Sequence, residues 1–326
     1  MEETTLRIID DTIEEVDYDV RTSKATGGTE LVYRWMTSKV PPELLDKVQI
    51  ICSRVRELED KPRILWLHDT GDDLEAQHLK DPESLKRFAS LVFVSSWQQQ
   101  DFVNKLGIPH DAGIVIQHAI TPFPEHEKPP TDKIKLIYAS TPHRGLDILL
   151  SVWAELWKER QDIELDVYSS FKLYDRDDND KMFQPLYDAA NDMEGVNYHG
   201  TVSNDEVRKA MQNAHILAYP CTYPETSCIT LIEAMSAGLL CVFPNFGALP
   251  ETGANFGFMY NWSEDKNRHA GVFKNVINTA IDAVKDPNMI RMLKTQKSYF
   301  DIFYGWESRI PKWAQLIQTV SQMSSK

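Results

Sequence analysis

The run YPCTYPETSCITLIEAMSAGLLCVFPNFGALPET, residues 219–252, predicts a loop, a helix, a buried strand and a second loop in succession. Apolar residues recur on one face of the predicted helix and a glycine follows as its stop signal; these are Ile229, Ile232, Met235 and Gly238. The apolar segment Leu239–Phe243 predicts a short, fully buried strand. We therefore expect an α/β fold around this run.

Two glutamates, Glu225 and Glu233, stand eight positions apart in the same run. Glu225 precedes the predicted helix, whose N-terminus near Thr226–Ile229 offers unpaired N–H groups and a partial positive charge that suit a phosphate. Each carboxylate has two acceptor oxygens for paired hydroxyls, so one glutamate suits a sugar near that phosphate and the other a ribose further back. The same two residues also fit an ordinary amphipathic helix with solvated charges.

The bulk composition excludes several classes of protein. The chain has 326 residues, enough for two α/β domains, and its net charge of −14 argues against nucleic-acid binding. It has no apolar stretch long enough to span a membrane, and residues 1–11 lack a signal-peptide pattern. The cysteines lack metal-ligand spacing and indicate reduced thiols in a cytoplasmic protein; they are Cys52, Cys221, Cys228 and Cys241.

The whole run from Glu225 to Glu251 resembles the donor site of GT-B glycosyltransferases, most closely glycosyltransferase family 4. The resemblance lies in E-x7-E, the following AMSAG, the apolar strand and G-x-x-P-E. It implies two Rossmann-like domains facing each other across a cleft. It also implies retaining, metal-independent transfer from a UDP- or GDP-sugar to an acceptor hydroxyl on a glycan, glycolipid or glycoprotein, with no other cofactor.

The domain boundary is predicted in the proline-rich segment Thr121–Thr131. Residues 1–126 would form the acceptor-side domain, opening with a weak strand at Leu6–Ile9, and residues 127–305 the donor domain. The resemblance implies that helix 306–326 crosses back onto the first domain. The apolar face of that helix favours packing, although peripheral membrane contact stays open, and the oligomeric state is not predicted.

In the first domain, Gly27 and Gly28 precede a predicted helix, where paired glycines allow close approach of a ligand. The resemblance places this turn on the cleft. His68 follows a predicted strand, at the sheet edge where open α/β sheets bind ligands. By resemblance it contacts the transferred sugar or the acceptor; a purely structural histidine is the alternative. His118 and Ala119 stand where family members often carry asparagine and glycine, respectively.

In the second domain, Arg144 with Gly145 resembles the family's Lys-Gly turn, whose cation holds the donor diphosphate. The family's second cation, an arginine five or six residues earlier, is absent, since Tyr138 and Ala139 occupy that region. Lys172 would replace it, or the phosphate is held less strongly. By resemblance Thr201 lies beside the base, and the phosphate seat comprises Thr226, Ser227, Cys228 and Ile229.

The acidic run at 175–180 does not fit a metal site. As a calcium loop it has Asp180 where glycine is required and Leu186 where glutamate is required. We therefore predict a solvated loop there and no metal.

Two other functions remain open. A sugar-nucleotide epimerase of the GT-B fold would release nucleotide without an acceptor, and an inactive sugar-nucleotide-binding protein would accord with the missing arginine. A dehydrogenase is disfavoured because no G-x-G-x-x-G follows a strand.

Overall fold

The computed structural model describes residues 20–21, 23, 25, 27–174 and 177–323, without the side chains of 173, 174 and 177. The predicted strand at Leu6–Ile9 lies outside these residues. The strands are β1 (Gln49–Cys52), β2 (Arg63–Trp66), β3 (Ser90–Phe93), β4 (Gly113–Val115), β5 (Ile134–Ala139), β6 (Ile163–Tyr168), β7 (Val196–Tyr198), β8 (Ile216–Ala218), β9 (Leu240–Pro244) and β10 (Phe258–Tyr260). The helices are α1 (Gly28–Lys39), α2 (Pro42–Leu45), α3 (Pro82–Leu85), α4 (Ser96–Leu106), α5 (Leu146–Glu159), α6 (Asp177–Asp192), α7 (Asn204–Asn213), α8 (Ile229–Ser236), α9 (Leu249–Gly253), α10 (Lys266–Ala283), α11 (Pro287–Phe303) and α12 (Trp306–Met323).

The first sheet is entirely parallel, in the order β1-β2-β3-β4. Its strands are rich in apolar residues because helices pack on both faces of the sheet. Val32 and Met36 of α1 pack into the core on one face, and Phe102 of α4 packs into the core on the other.

The second sheet is also parallel, in the order β10-β9-β8-β5-β6-β7. The chain enters at β5, proceeds outward through β6 and β7, and then returns to the other side of β5 with β8. The strand order therefore reverses between β5 and β8. Open α/β sheets bind their ligands outside the carboxyl ends of the strands at such a reversal.

Helix α12 packs its apolar face against the first sheet. Trp313 contacts Trp66 of β2 with ring centroids 4.7 Å apart, and Ile317 and Val320 join the same core. Where the chain passes between the two sheets, Ile120 forms a bridge with Gly305, so the outgoing and returning segments lie side by side. No helix among the described residues is long and apolar enough to cross a membrane.

The prediction of a solvated loop over the acidic run is wrong from residue 177 onward, where helix α6 begins, and Asp180 is not solvated either. This residue lies in α6 and is buried, and its carboxylate accepts hydrogen bonds from Ser170 Oγ at 2.5 Å, Phe171 N at 2.7 Å and Tyr187 Oη at 2.6 Å. The acidic composition of the run gave no indication that the buried carboxylate of Asp180 joins α6 to the residues after β6. Asp178 and Asn179 are exposed as predicted, and Asp175 lies outside the described residues.

Candidate functional site

Two loops meet at the carboxyl ends of β5 and β8, at the reversal of the second sheet. The turn Pro142–Arg144 follows β5, and residues 219–228 follow β8. Gly145 has φ of +101°, and a Cβ there would lie 2.0 Å from the carbonyl oxygen of Pro220. Only glycine allows this turn to approach the second loop so closely.

Arg144 and Glu225, one from each loop, form an ion pair. Arg144 Nη1 lies 2.7 Å from Glu225 Oε1, and the same oxygen accepts a hydrogen bond from Tyr219 Oη at 2.5 Å. The guanidinium also lies over the ring of Tyr223, 4.7 Å from its centroid. The Glu225 side chain is 4% exposed and that of Arg144 is 22% exposed, so the pair is open to the solvent from the arginine side.

The G-x-x-P-E segment supports this pair from behind. The amide of Ala248 donates to the carbonyl of Glu225 at 2.7 Å, and a Cβ on Gly247 would lie 2.6 Å from the Glu225 backbone. Gly247 has φ of +58°, so the close approach and the backbone conformation both require glycine.

Helix α8 begins directly after this loop, at Ile229. Its N-cap residue is Cys228, and no side chain in the described part of the chain forms a capping hydrogen bond there. Ser227 and Ile229 are half-buried, whereas Cys228 is buried. The first-turn N–H groups carry the partial positive charge of the helix and are suited to hold an anion.

Glu233 lies in the interior of α8 and is 2% exposed. Its Oε1 lies 2.5 Å from Arg208 Nη1, and its Oε2 accepts a hydrogen bond from Asn204 Nδ2 at 3.3 Å. Burial raises the pKa of Glu233, and the neighbouring Arg208 and Asn204 oppose that rise. The charge of this glutamate therefore depends on its partners on α7.

Residues of the first domain reach the same loop across the cleft. Thr226 Oγ1 donates to the carbonyl of His68 at 2.7 Å, and Ser95 Oγ donates to the carbonyl of Thr226 at 2.6 Å. A Cβ on Gly28 would lie 3.3 Å from Ile229 Cδ1. Gly27, which precedes α1, is buried, and its carbonyl accepts from the amide of Leu31.

Glu251 makes a further contact between the domains. Its carboxylate accepts hydrogen bonds from the amides of Ser96 and Trp97, at 2.9 and 3.0 Å, at the N-terminus of α4. A carboxylate at this position neutralises the positive end of the helix. Like the Thr226 contacts, this contact joins the two domains.

The ring of His68 stacks on that of His118, with the centroids 5.4 Å apart. Nδ1 of His68 lies 3.4 Å from Nε2 of His118. Burial lowers the pKa of His68 to about 3, and burial together with His68 and Arg309 holds the pKa of His118 well below its ordinary value. Both rings are therefore neutral near pH 7. Nε2 of His68 is buried and has no hydrogen-bond partner among the described residues.

Lys172 and Thr201 lie beyond the ion pairs. Lys172 is exposed, on the turn Phe171–Tyr174, and Phe171 stacks on His143 at 5.3 Å, so the turn lies beside the one that carries Arg144. Thr201 is exposed and follows Gly200, whose carbonyl accepts from the amide of Ser169 at 3.0 Å. No contact described in the structure joins either residue to Arg144 or Glu225.

Sequence reasoning missed Arg208, Tyr219 and Ser95 as neighbours of the predicted site residues. Arg208 precedes Glu233 by 25 positions on another helix, and no spacing in the sequence indicates their contact. Glu251 was part of a recognised pattern but had no assigned partner. Among the described residues no group of three or more His, Cys, Asp or Glu side chains is arranged to hold a metal ion.

Comparison with known proteins identifies the family. The sequence profile of the family described as "Glycosyl transferases group 1" matches residues 121–283, half of the 326 residues. The chain belongs to this family. The matched region of this glycosyltransferase contains β5 to β10, both ion pairs and the whole E-x7-E run.

Solved structures share the fold of this glycosyltransferase at low identity. A glycosyltransferase from Rickettsia africae has a TM-score of 0.68 and 14% identity, over 91% of this chain and 83% of that one. HepE from Anabaena, in complex with UDP-glucose, has a TM-score of 0.61 and 16% identity, over 79% and 72%. Sucrose-phosphate synthase from Thermosynechococcus elongatus has a TM-score of 0.59 and 16% identity, over 82% and 69%.

These similarities show that the two parallel-sheet domains form a GT-B fold, as the sequence predicted. No curated protein sequence matches this glycosyltransferase significantly.

Proposed function

We propose that this glycosyltransferase moves a sugar from a UDP- or GDP-sugar to an acceptor hydroxyl, with retention of the anomeric configuration and without a metal, as family 4 enzymes do. One observation carries the proposal: Arg144 and Glu225 meet at 2.7 Å at the reversal of the second sheet, beside the N-terminus of α8. A cation, a carboxylate and free N–H groups are what a sugar diphosphate needs at one place.

The donor diphosphate would replace Glu225 as the partner of Arg144. Both charges of the ion pair then acquire ligand partners: Arg144 holds the phosphates, and Glu225 accepts from hydroxyls of the transferred sugar. The N–H groups at Ser227, Cys228 and Ile229 share the phosphate charge. Lys172, on the neighbouring turn, supplies a second cation, and Thr201 lies beside the base.

The bond from sugar to phosphate would break through an oxocarbenium-like state. The acceptor oxygen would bond to the anomeric carbon on the face that the nucleoside diphosphate leaves, and the proton of the acceptor hydroxyl would pass to the departing phosphate oxygen. Arg144 and the α8 N-terminus stabilise the charge that develops on the departing phosphate. His68 is neutral and close to Thr226. It accepts a hydrogen bond from the sugar or the acceptor hydroxyl, or donates one to it. No carboxylate is assigned as a nucleophile. We assign residues 1–126 with 306–326 to the acceptor-side domain and residues 127–305 to the donor domain.

Two further observations support details of this proposal. HepE, which shares the fold, was solved with UDP-glucose, which favours a uridine nucleotide among the possible donors. The four cysteines of this chain are free and buried, which favours a reducing, cytoplasmic location.

Thermal stabilisation by donors tests the proposal. UDP-, GDP-, ADP- and CMP-sugars would be compared with and without magnesium, since a ligand at about a hundred times its Kd adds about 2.7 kcal/mol of stability. We expect one nucleotide class to stabilise the protein equally with and without magnesium. Stabilisation by none of the four classes would contradict the proposed donor site.

A product assay then separates the functions. Sugar transfer to an acceptor, with the anomeric configuration of the product read by NMR, supports a retaining transferase. Free nucleotide and a rearranged sugar without any acceptor would indicate an epimerase. Binding without either product would indicate a sugar-nucleotide-binding protein.

A further inference from the structure

Arg208 occupies a central position behind the proposed ribose site. Its Nη1 contacts Glu233 Oε1, and Asn204 donates to Glu233 Oε2 from the same helix, α7. An ionised carboxylate has about four lone-pair positions, of which these contacts take two. Glu233 is therefore oriented by α7 but keeps acceptor capacity for the two hydroxyls of a ribose.

Arg208 is itself fixed by the segment that connects the domains. Its Nη2 donates to the carbonyl of Thr121 at 2.8 Å, and its guanidinium lies over the ring of Phe123, 3.8 Å from the centroid. Phe123 is held in turn, because its amide donates to Ser236 Oγ and its carbonyl accepts from Lys297 Nζ. These contacts keep the guanidinium in place when a ligand approaches.

The burial of the pair gives Arg208 a role beyond orientation. The side chain of Glu233 is 3% exposed and that of Arg208 is 17% exposed. A buried carboxylate that loses its cation takes up a proton more readily, and a protonated carboxyl group presents fewer acceptor positions to hydroxyls. Asp205, also on α7, adds a negative charge nearby and acts in the same direction. The charged side chains of Lys297 and Asp301, on helix α11, form an ion pair with each other at 2.7 Å.

We propose that Arg208 is a positioning residue for the donor ribose, which holds the Glu233 carboxylate ionised and correctly oriented through its anchorage on Thr121 and Phe123. The inference rests on the proposed function, which gives Glu233 the ribose. It adds that recognition of the ribose requires a cation from α7 that does not itself touch the donor.

The test measures the Kd of UDP by calorimetry from about pH 5 to about pH 8.5, for the parent protein and for Arg208→Met. We expect Arg208→Met to weaken UDP binding about tenfold at neutral pH, the scale of a lost hydrogen bond to a charged group. The ratio of variant to parent Kd should grow as the pH falls from neutral, because Glu233 takes up its proton at a higher pH in the variant. Using this ratio at each pH removes the titration of UDP itself.

Two comparisons make the effect specific to the ribose. The parent is expected to prefer UDP over 2′-deoxy-UDP about tenfold, and Arg208→Met should lose most of that preference. Arg208→Lys keeps the charge and should recover most of the affinity. Lys209→Met removes an exposed cation from the same helix and should change neither quantity.

Other outcomes would overturn the inference. A loss in Arg208→Met that is independent of pH and equal for UDP and 2′-deoxy-UDP would indicate a structural role alone. Tighter binding would show that Arg208 obstructs the ribose site. If Arg208→Met does not fold, the same pH series on Arg208→Gln, which removes the charge but keeps a hydrogen-bond donor, decides, and a Kd ratio that does not grow as the pH falls would then overturn the inference.

Failure of the proposed function can be distinguished from failure of the inference about Arg208. Glu233→Gln should weaken UDP binding, and adding Arg208→Met to it should cause little further loss. If Glu233→Gln leaves UDP affinity unchanged, the assignment of Glu233 to the ribose is wrong, and the inference about Arg208 is overturned with it. If Glu233→Gln weakens binding and Arg208→Met does not, only the inference about Arg208 is wrong.

Discussion

The two sides of the cleft differ in the charge state of their buried side chains. On the donor side, Glu225 and Glu233 are both buried, and each is paired with an arginine. On the facing side, His68 and His118 stack on each other, and burial lowers the pKa of both. Under the proposed function, the two carboxylates of the second domain accept hydrogen bonds from the hydroxyls of an anionic donor, whereas the two stacked histidines of the first domain face the cleft as neutral rings.

The two ion pairs also differ from each other. Arg144 and Glu225 come from two loops at the sheet edge, and the Arg144 side chain is 22% exposed. Arg208 is anchored on the connecting segment and cannot leave Glu233 without breaking the contacts to Thr121 and Phe123. Under the proposed function, the first pair opens when the donor binds and the second stays closed.

Replacing Glu225 should have the largest effect. Glu225→Gln removes the charge that partners Arg144 and disturbs the position of the transferred sugar, so we expect kcat to fall about a hundredfold while the donor KM changes little. Steady-state kinetics with the donor identified by thermal stabilisation measures this. Glu264→Gln, at an exposed position, is the control and should have no effect. Equal and negligible effects of Glu225→Gln on both constants would remove the distinction between the two pairs.

Replacing Glu233 should act on binding instead. Glu233→Ala deletes acceptors for the ribose hydroxyls, so we expect the donor KM to rise about tenfold or more with kcat nearly unchanged. The same kinetic assay measures this, and circular dichroism verifies the fold. A fall in kcat without a change in KM would reverse the roles assigned to the two glutamates.

Gly145→Ala tests the close approach that brings Arg144 to Glu225. A Cβ would meet the carbonyl of Pro220 at 2.0 Å, in a backbone conformation with φ of +101°. We expect a loss of about 1–3 kcal/mol in the free energy of unfolding, measured with urea. Gly271→Ala is the matched control: a Cβ at this position in α10 meets open space, and helix propensity predicts a gain of about 0.5–1 kcal/mol.

The neutrality of the buried histidines can be tested by the pH dependence of the free energy of unfolding. The pKa of His118 is lowered by burial, so below about pH 6.5 the unfolded chain binds a proton that the folded protein does not. The free energy of unfolding therefore falls with falling pH, by up to about 1.4 kcal/mol per pH unit for one such histidine.

His118→Asn removes this contribution, so the variant should lose less stability than the parent between about pH 7 and about pH 5.5. Urea denaturation at several pH values measures the two slopes. His110→Asn, at an exposed position, is the control. If the free energy of unfolding has the same slope against pH in the parent and in His118→Asn, burial does not keep His118 neutral.

Some of the site could be predicted from the sequence because its determinants are local. Helix α8 and strand β9 follow from periodicity and from Gly238, and the E-x7-E spacing places Glu225 before the helix and Glu233 within it. Asp180 shows the limit of such reasoning, since its neighbours are solvated and its own carboxylate is buried.

The sequence by itself determined the α/β class, the family resemblance and the residue types of the donor site. Only the tertiary structure decided their partners: Arg144 with Glu225 across 81 positions, Arg208 with Glu233 across 25, and His68 with His118 across 50. Local patterns report which face of a helix or strand is buried, because that depends on neighbours in the chain. Ion pairs and stacked rings depend on the order of strands in a sheet, which brings distant segments to one edge.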